Sequence, residues 1–452
     1  MAEVIMPKMG DSMEVGKLLS WRKQNGEQVK SGDIIAEIET DKSNVEIEAE
    51  EDGVLQTSVE AGAEVPVGAT IATIGGASVA TNGTAKSQSS SNGHSAAAVA
   101  IPAHDVVAPK PAAVSAAPTK DWGPTVNVKY SHAIRMALEE ELNADPSVFL
   151  LGEEIGQYQG TFKITEGFLQ TYGPDRIVDT PISEAGMVGL TVGAAMLGLR
   201  PVLEFMTFNF ALVAWDQIIN HAAKILYMSG GQFSVPCVLR GPGGVGTQLS
   251  AQHSQDLIHW YANTPGLKVV APATPADAKG LLKAAIRDNN PVIFMEHAKL
   301  YGTKGDVPES TDFVIPIGVA EVKRSGKDVT IVTYSRGVVL SLAAAEELAK
   351  EGIDVEVIDL RSLQPFDIDT VIKSIQKTHR AVVVQEQWEA YGVAAEFSAQ
   401  IMEKAFDYLD APVARVAGAF VPMPYAKALE DIATPHEGDI IAAVKKTLER
   451  SI

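Results

Sequence analysis

Glu39-Thr40-Asp41-Lys42-Ser43 lies between two segments of a 452-residue chain that repeat one another. Gly16-Lys17-Leu18-Leu19 returns as Gly53-Val54-Leu55-Gln56, and Asn25-Gly26-Glu27-Gln28-Val29 returns as Ala61-Gly62-Ala63-Glu64-Val65. Ser31-Gly32-Asp33 returns as Val67-Gly68-Ala69. Gly26 and Gly62 are 36 residues apart, as are Gly32 and Gly68, so roughly the first 76 residues read as two copies of one short β unit. Between the copies, Asp41 and Ser43 bond readily to turn backbone, which predicts a tight turn joining two strands. A lysine in that setting is held out from a rigid body where an enzyme can modify it. An arbitrary lysine would be no more than a solvated side chain.

Repeat, Asp-Lys turn and flanking sequence together resemble a lipoyl domain over residues 2–76, the swinging-arm carrier of 2-oxoacid dehydrogenase complexes. The resemblance implies an all-β flattened barrel or sandwich with lipoate in amide linkage on Lys42. Biotin carriers share that fold but place methionines around their lysine, where Asp41 and Ser43 stand here.

Residues 77–121 change character: Ala, Ser, Pro, Asn and Thr dominate, and large apolar side chains are few. Such a stretch cannot bury enough surface to fold and reads as a flexible linker. At 45 residues, a flexible chain has an r.m.s. span of roughly 35–40 Å, enough for a carrier module to travel between sites.

The net charge of −20 argues against nucleic-acid binding, which needs clustered Lys and Arg. The first 76 residues hold 15 acidic and 6 basic residues, so the module is steered toward basic active-site entrances. Cys237 is the only cysteine, which excludes an intrachain disulfide and suits a reducing compartment. Its strand-like surroundings read as those of a buried, inert thiol. No export or transit signal is visible, and a bacterial cytoplasmic location is expected. The weakly polar run Ala185 to Leu199, bounded by Glu184 and Arg200, is too short to span a bilayer and reads as a buried helix.

From Thr125 helical and strand patterns alternate, the signature of α/β layers around a mainly parallel sheet. Helices are expected over Tyr130–Leu142, Ser183–Leu199, Trp215–Met228 and Ala276–Arg287. Strands are expected over Val148–Leu151, Pro201–Phe205, Val235–Leu239, Leu267–Ala271 and Val292–Glu296. After Gly318 the pattern restarts with a strand (Asp328–Tyr334), a helix (Gly337–Lys350) and a strand (Asp354–Leu360). A helix at Asp367–Gln376 and a strand at Ala381–Gln385 extend it. Two α/β domains follow, at 125–318 and 325–452, with a crossover around Pro308 and Val314-Ile315-Pro316.

Within Asp179-Thr180-Pro181-Ile182-Ser183-Glu184-Ala185-Gly186, Glu184 opens a helix of small residues: Gly186, Gly189, Gly193, Ala194 and Ala195. The helix dipole stabilises a carboxylate there, and small residues at four-residue spacing let another helix approach closely. By itself Glu184 could be only a helix-end carboxylate. The wider pattern resembles the pyrimidine-domain motif of thiamine diphosphate enzymes: Glu184, Gly189, Leu190 and Gly193. The resemblance continues through Glu204 to Phe210, Tyr227-Met228-Ser229-Gly230-Gly231 and Ala251-Gln252-His253-Ser254-Gln255. Residues 125–452 thus resemble the β subunits of the thiamine-dependent decarboxylating component of pyruvate dehydrogenase. That family has a pyrimidine-binding domain followed by a transketolase C-terminal-like domain. Its motif usually ends in glutamine where Ala194 stands.

The resemblance implies that Glu184 is the carboxyl group bonded to the aminopyrimidine N1′, in a site dry enough to keep its pKa high. It places Met206 and Phe210 as the apolar and aromatic wedge on the pyrimidine, Ile182 against the coenzyme, and His253 as an active-site histidine in acyl transfer. It also implies a structural potassium site at Ala285, Ile286, Asp288 and Asn290, with Cys237 a weaker member; oxygen donors suit such a hard cation. The run Gly241 to Gly246 matches a dinucleotide fingerprint in form only. It holds Pro242, opens no clear helix and has no acid about 20 residues on for a ribose. No Gly-Asp-Gly occurs anywhere, so the diphosphate and Mg²⁺ are expected on an α subunit, in an α₂β₂ heterotetramer. The family also docks on the peripheral-subunit-binding domain of a dihydrolipoamide acetyltransferase core. The open alternatives are a branched-chain 2-oxoacid or acetoin dehydrogenase β subunit, or a carrier and scaffold with a decayed catalytic half. Phe205 to Phe210 favours pyruvate, and intact Glu184 and His253 weigh against decay.

Overall fold

A computed structural model describes residues 2–7, 15–39, 44–75 and 121–449, which fall in two compact units. The first unit holds β1 (Ala2–Ile5), β2 (Val15–Trp21), β3 (Gln28–Val29), β4 (Ile34–Glu39), β5 (Asn44–Glu48), β6 (Gly53–Thr57), β7 (Glu64–Pro66) and β8 (Thr70–Gly75). They form two four-stranded sheets, ordered β1-β8-β6-β3 and β5-β4-β2-β7. Each copy of the repeat lends its short strand to the other copy: β3 pairs with β6, and β7 with β2. The turns obey the same symmetry. Gly26 N donates to Leu55 O at 2.7 Å, and Gly62 N donates to Leu18 O at 2.6 Å. Both glycines sit at positive φ, 88° and 91°, where a side chain would be strained. Leu18, Val29, Ile35, Ile38, Leu55 and Ile71 fill the core between the sheets. Neither copy can close that core alone, so the repeat folds as one module.

The second unit opens with β9 (Thr125–Lys129), α1 (Tyr130–Ala144), β10 (Val148–Gly152), α2 (Phe168–Tyr172), β11 (Ile177–Asp179), α3 (Glu184–Met196) and β12 (Arg200–Glu204). It continues with α4 (Ile225–Met228), β13 (Val238–Gly243), α5 (Ile258–Ala262), β14 (Lys268–Val270), α6 (Pro275–Arg287), β15 (Val292–His297) and β16 (Lys304–Pro308). Strands β11-β10-β12-β13-β15-β14 form a parallel sheet in that order. Successive residues of β15 face opposite sides: Ile293 joins one buried cluster, Val292 and Phe294 the other. Burial on both faces is what a parallel sheet sandwiched by helices requires.

The remainder is β17 (Glu321–Arg324), β18 (Val329–Thr333), α7 (Arg336–Lys350), β19 (Val355–Asp359), β20 (Ser362–Gln364), α8 (Ile368–Thr378), β21 (Ala381–Trp388), α9 (Val393–Ala405), β22 (Ala414–Gly418), α10 (Lys427–Ala433) and α11 (Glu437–Glu449). Its sheet runs β17-β19-β18-β21-β22, so it begins at Glu321, slightly ahead of 325. The two α/β halves are stitched together. Strand β20 crosses over to pair antiparallel with β14 of the first sheet. Buried Asp277 caps α6 in a capping box with Thr274, and its carboxylate also accepts from Arg361 Nε at 2.7 Å and Lys323 Nζ at 2.9 Å.

Two expected elements differ. The strand expected at Val235–Leu239 lies at Val238–Gly243, because Pro236 has no N–H for a ladder. Its glycines allow close packing: a Cβ on Gly241 would lie 2.5 Å from the Phe205 carbonyl oxygen. The helix expected at Trp215–Met228 is broken into a π turn over Gln217–Ala222 and α4, after a 3₁₀ turn over Phe208–Ala214. These turns carry a chain of edge-to-face rings linking Phe205, Phe208, Tyr261 and Trp215.

Candidate active site

In the first sheet the chain passes from β10 outward to β11 and then back across to β12. The connections diverge between β10 and β12, and the carboxyl ends of strands at such a switch point are the usual ligand position in open α/β sheets. Of the sequence-predicted residues, Ile182 and Glu184 precede β12 and Met206 and Phe210 follow it. Glu184 is the first residue of α3 and is buried. Glu153, which sequence reasoning missed, follows β10 and is also buried. Burial, and then the charge of Glu184, hold the Glu153 carboxyl above the usual range. No basic side chain pairs with either carboxylate among the described residues. Burial and a neighbouring like charge without a counter-ion favour the protonated form of Glu153.

Asp179 braces the loop that follows β10. Its carboxylate accepts from Gly156 N at 2.6 Å and Gln157 N at 2.9 Å, while Thr180 N donates to Gly152 O at 3.0 Å. Thr180 Oγ1 is buried and finds no partner among the described residues. Ile182 is 79% exposed. On α3, Met187, Val188 and Val192 are buried while Leu190, and Leu197 just past the helix, are exposed, so the helix presents apolar residues outward.

After β12 the chain presents Met206 and Phe210, both half-buried. Phe210 makes an edge contact with His253, ring centroids 4.9 Å apart. Buried Asn209 ties the two stretches together: its Nδ2 donates to Thr207 Oγ1 at 2.7 Å, and its Oδ1 accepts from Gln255 N at 2.9 Å. His253 is exposed; next to it, Ser254 is buried and its Oγ has no partner among the described residues. A cleft of about 430 Å³ runs against Gln252 and Gln255, walled by Trp388, Phe420, Val421 and Pro422. Orphaned hydroxyls, an unpaired carboxylate couple and an aromatic edge suit a heteroaromatic coenzyme with ring nitrogens.

Behind these strand ends Arg240 is fully buried. Its Nε and Nη2 bond Glu296 at 2.6 and 2.9 Å, its Nη1 bonds Glu204, and Tyr301 OH donates to Glu296 at 2.6 Å. Burial holds the Glu204 carboxyl above its usual range, with Arg240 pulling it back. The ion pairs lock the ends of β12, β13 and β15 in register. The Gly241 to Gly246 run begins as the end of β13, and the next helix starts only at Ile258. It is no dinucleotide turn.

The expected cation residues lie at the end of α6. Arg200 Nη1 donates to the carbonyls of Ile286 and Asp288, both at 2.9 Å. Asp288 Oδ1 accepts from Asn290 N and Nδ2 at 2.9 and 3.0 Å, and its Oδ2 meets Lys268 Nζ. Ala285 O accepts from Asp288 N at 3.3 Å, and Cys237 O from Val292 N at 2.9 Å. Arg200 thus occupies two of these carbonyls. Burial pushes the Cys237 thiol up to about 12, as expected of an inert cysteine. Lys42 lies outside the described residues; its flanking strands pair with Glu39 opposite Asn44.

Three family models match this chain: "Transketolase, pyrimidine binding domain" over residues 126–304, "Transketolase, C-terminal domain" over 318–440, and "Biotin-requiring enzyme" over 2–74. A "Pyruvate dehydrogenase E1 component subunit beta" from Rhizobium meliloti (strain 1021) is 48% identical, covering 98% of each chain, and so shares the whole layout. Mitochondrial relatives of similar name from Arabidopsis thaliana and Bos taurus are 55% and 54% identical. They cover 71% and 72% of this chain and 89% and 91% of their own. Among solved structures, a "Split gene transketolase, inactive beta4 tetramer" matches with a TM-score of 0.59 at 24% identity, over 72% of this chain and 99% of that one; it speaks for the fold alone. Among the described residues no helix is long and apolar enough to cross a membrane.

Proposed function

Because the chain belongs to the family of pyruvate dehydrogenase E1 component β subunits, we propose that with an α subunit it decarboxylates pyruvate and acetylates lipoyl groups. The observation that carries the reading is the buried Glu184 beside Glu153, at the strand ends where Phe210 meets His253. Thiamine diphosphate, when bound, supplies a thiazolium carbon that its own imino nitrogen can deprotonate once N1′ carries a proton. Glu184 would hold that proton at N1′ through a hydrogen bond, with buried Glu153 beside it. Phe210 and Met206 would hold the pyrimidine ring, and Ile182 would lie against the coenzyme. His253 serves the acyl acceptor, which reaches it along the cleft by Trp388 and Phe420.

Lipoate sits on Lys42, in the module matched over residues 2–74. The division 2–76, 77–121, 125–318 and 325–452 goes with this reading. So does an α₂β₂ assembly in the bacterial cytoplasm whose α subunit grips the diphosphate and Mg²⁺. Ala285, Ile286, Asp288 and Asn290, with the Cys237 carbonyl, would hold K⁺ beside Arg200. The C-terminal domain docks on the peripheral-subunit-binding domain of an acetyltransferase core.

The test is reconstitution with the α subunit and assay across several 2-oxoacids. Pyruvate should be preferred; a preference for branched-chain acids would move the protein to the neighbouring class. Intact mass after co-expression with a lipoylating enzyme should rise by one lipoyl group, and Lys42→Arg should abolish the rise. A gain that survives that substitution would remove Lys42 from the account.

A further inference from the structure

Residues 244–257, between β13 and α5, carry His253 and form neither helix nor strand. Gln248 and Ser250 sit there at positive φ, 58° and 66°, a conformation that persists only where the surroundings impose it. The C-terminal domain does the imposing. Val245 N donates to Glu386 Oε2 at 3.3 Å, and Gln248 N to Glu430 Oε1 at 3.0 Å. Asp256 collects the most. Its Oδ1 accepts from Ile258 N at 3.1 Å and its Oδ2 from Tyr334 OH at 3.3 Å, while its carbonyl accepts from Gln387 Nε2 at 3.3 Å. Gln387 is itself oriented, since its Oε1 accepts from Val393 N at 3.0 Å and its Nε2 also donates to His259 Nδ1 at 2.8 Å.

We propose that Asp256 is a positioning residue for His253: by tying the loop to Tyr334 and Gln387, it lets the C-terminal domain set where His253 stands relative to Phe210. This rests on His253 serving acyl transfer. Only Ser254 and Gln255 separate the two residues, and the Asn209 bond to Gln255 clamps the same stretch from the coenzyme side. His253 is therefore held between two fixed points, one in each α/β domain. The titratable and charged groups facing Asp256 are Tyr334 and Glu386 from the C-terminal domain, backed by Arg336, and His297 from β15. Burial, and then Glu386, push the Asp256 carboxyl up to about 6, so this anchor changes charge close to neutral pH.

The test uses the reconstituted α₂β₂ holoenzyme with free lipoamide as acceptor, and in parallel an artificial electron acceptor that bypasses acyl transfer. Asp256→Ala should lower kcat for lipoamide acetylation by about tenfold to a hundredfold, since small misplacements of a reacting group cost that much. The artificial-acceptor rate and the KM for pyruvate should stay within about twofold. Asp256→Asn still accepts hydrogen bonds and should recover most of the rate, with the pH limb near 6 gone. His253→Ala/Asp256→Ala should be no slower than His253→Ala, because a residue acting through another is not additive with it. A slower double variant, equal losses in both assays, or wild-type acetylation by Asp256→Ala overturns the proposal. Should Asp256→Ala fail to fold, Tyr334→Phe keeps the packing, and the same selective loss of acetylation is required of it. Wild-type acetylation by His253→Ala would instead bring down the underlying reading of the site, and this one with it.

Discussion

The two α/β halves each have a point where successive connections leave the sheet in opposite directions, and they use it differently. In the first sheet it lies between β10 and β12, and the helix at that edge opens with Glu184. In the second it lies between β18 and β21, and α7 opens with Arg336. There, Glu386 at the end of β21 pairs with Arg336 and accepts from His297 Nε2 at 2.6 Å. The His297 Nδ1 accepts from Lys299 N at 3.1 Å, which leaves Nε2 as the donor to Glu386. The remaining cavity is about 20 Å³, room for a single water. The second switch point is plugged by the chain's own ions. The first keeps unpaired carboxylates and orphaned hydroxyls. A switch point becomes a ligand site only when its polar groups are left for something else to satisfy.

That contrast can be broken in four ways. Glu386→Ala should cost about 3–5 kcal/mol of stability, because it strands buried His297 and part-buried Arg336 without their shared partner; a denaturant midpoint unchanged by it would mean the plug contributes nothing. Glu184→Gln should do the opposite. It should leave the midpoint nearly unmoved and lower decarboxylation by about 10²-fold or more, the loss expected for a proton-handling group; activity within about twofold of wild type would discard the catalytic assignment.

Gly241→Ala should destabilise by about 1–3 kcal/mol, since the Phe205 backbone blocks the new methyl and cannot rotate away. Gly337→Ala in the second half meets the Thr333 side chain instead and should cost less. Thermal unfolding of both variants decides the order.

The mildest test is pH. Burial works to raise the Glu386 carboxyl, but His297 and Arg336 outweigh it and hold it at about 2, below its ordinary 4.5. Its stabilisation is complete above pH 4.5 and is lost as pH falls toward 2. Asp256, raised from 3.8 to about 6, contributes in the reverse sense: fully below pH 3.8, and progressively lost as pH rises through 6. Glu386→Gln should flatten the acid limb of a midpoint-versus-pH curve and Asp256→Asn the limb between about 4 and 6. Unaltered curves would show that neither group couples to folding.

Much of this was legible in advance because the signals are local. The repeat of Gly26 in Gly62, and of Gly32 in Gly68, comes from turns that need positive φ, and both copies adopt it. Glu184 stood out because a helix of small residues starts at it, and His253 because of the motif around it. Glu153 went unnoticed since Gly152-Glu153-Glu154 resembles any acidic strand end. Its meaning depends on Glu184, 31 residues away in sequence, arriving at the same edge. Asn209 and Asp256 escaped for the same reason: their partners come from other strands or the other domain.

By itself the sequence determined most of the strands and helices and the two-copy pattern of the first unit. Periodicity, turn preference and side-chain chemistry act over a few residues and survive in a linear string. Only the tertiary structure decided which switch point stays open, that β20 crosses into the first sheet, and that His253 is held from both domains. Those outcomes depend on which polar groups find partners across long loops, and pairing through space leaves no trace in spacing along the chain.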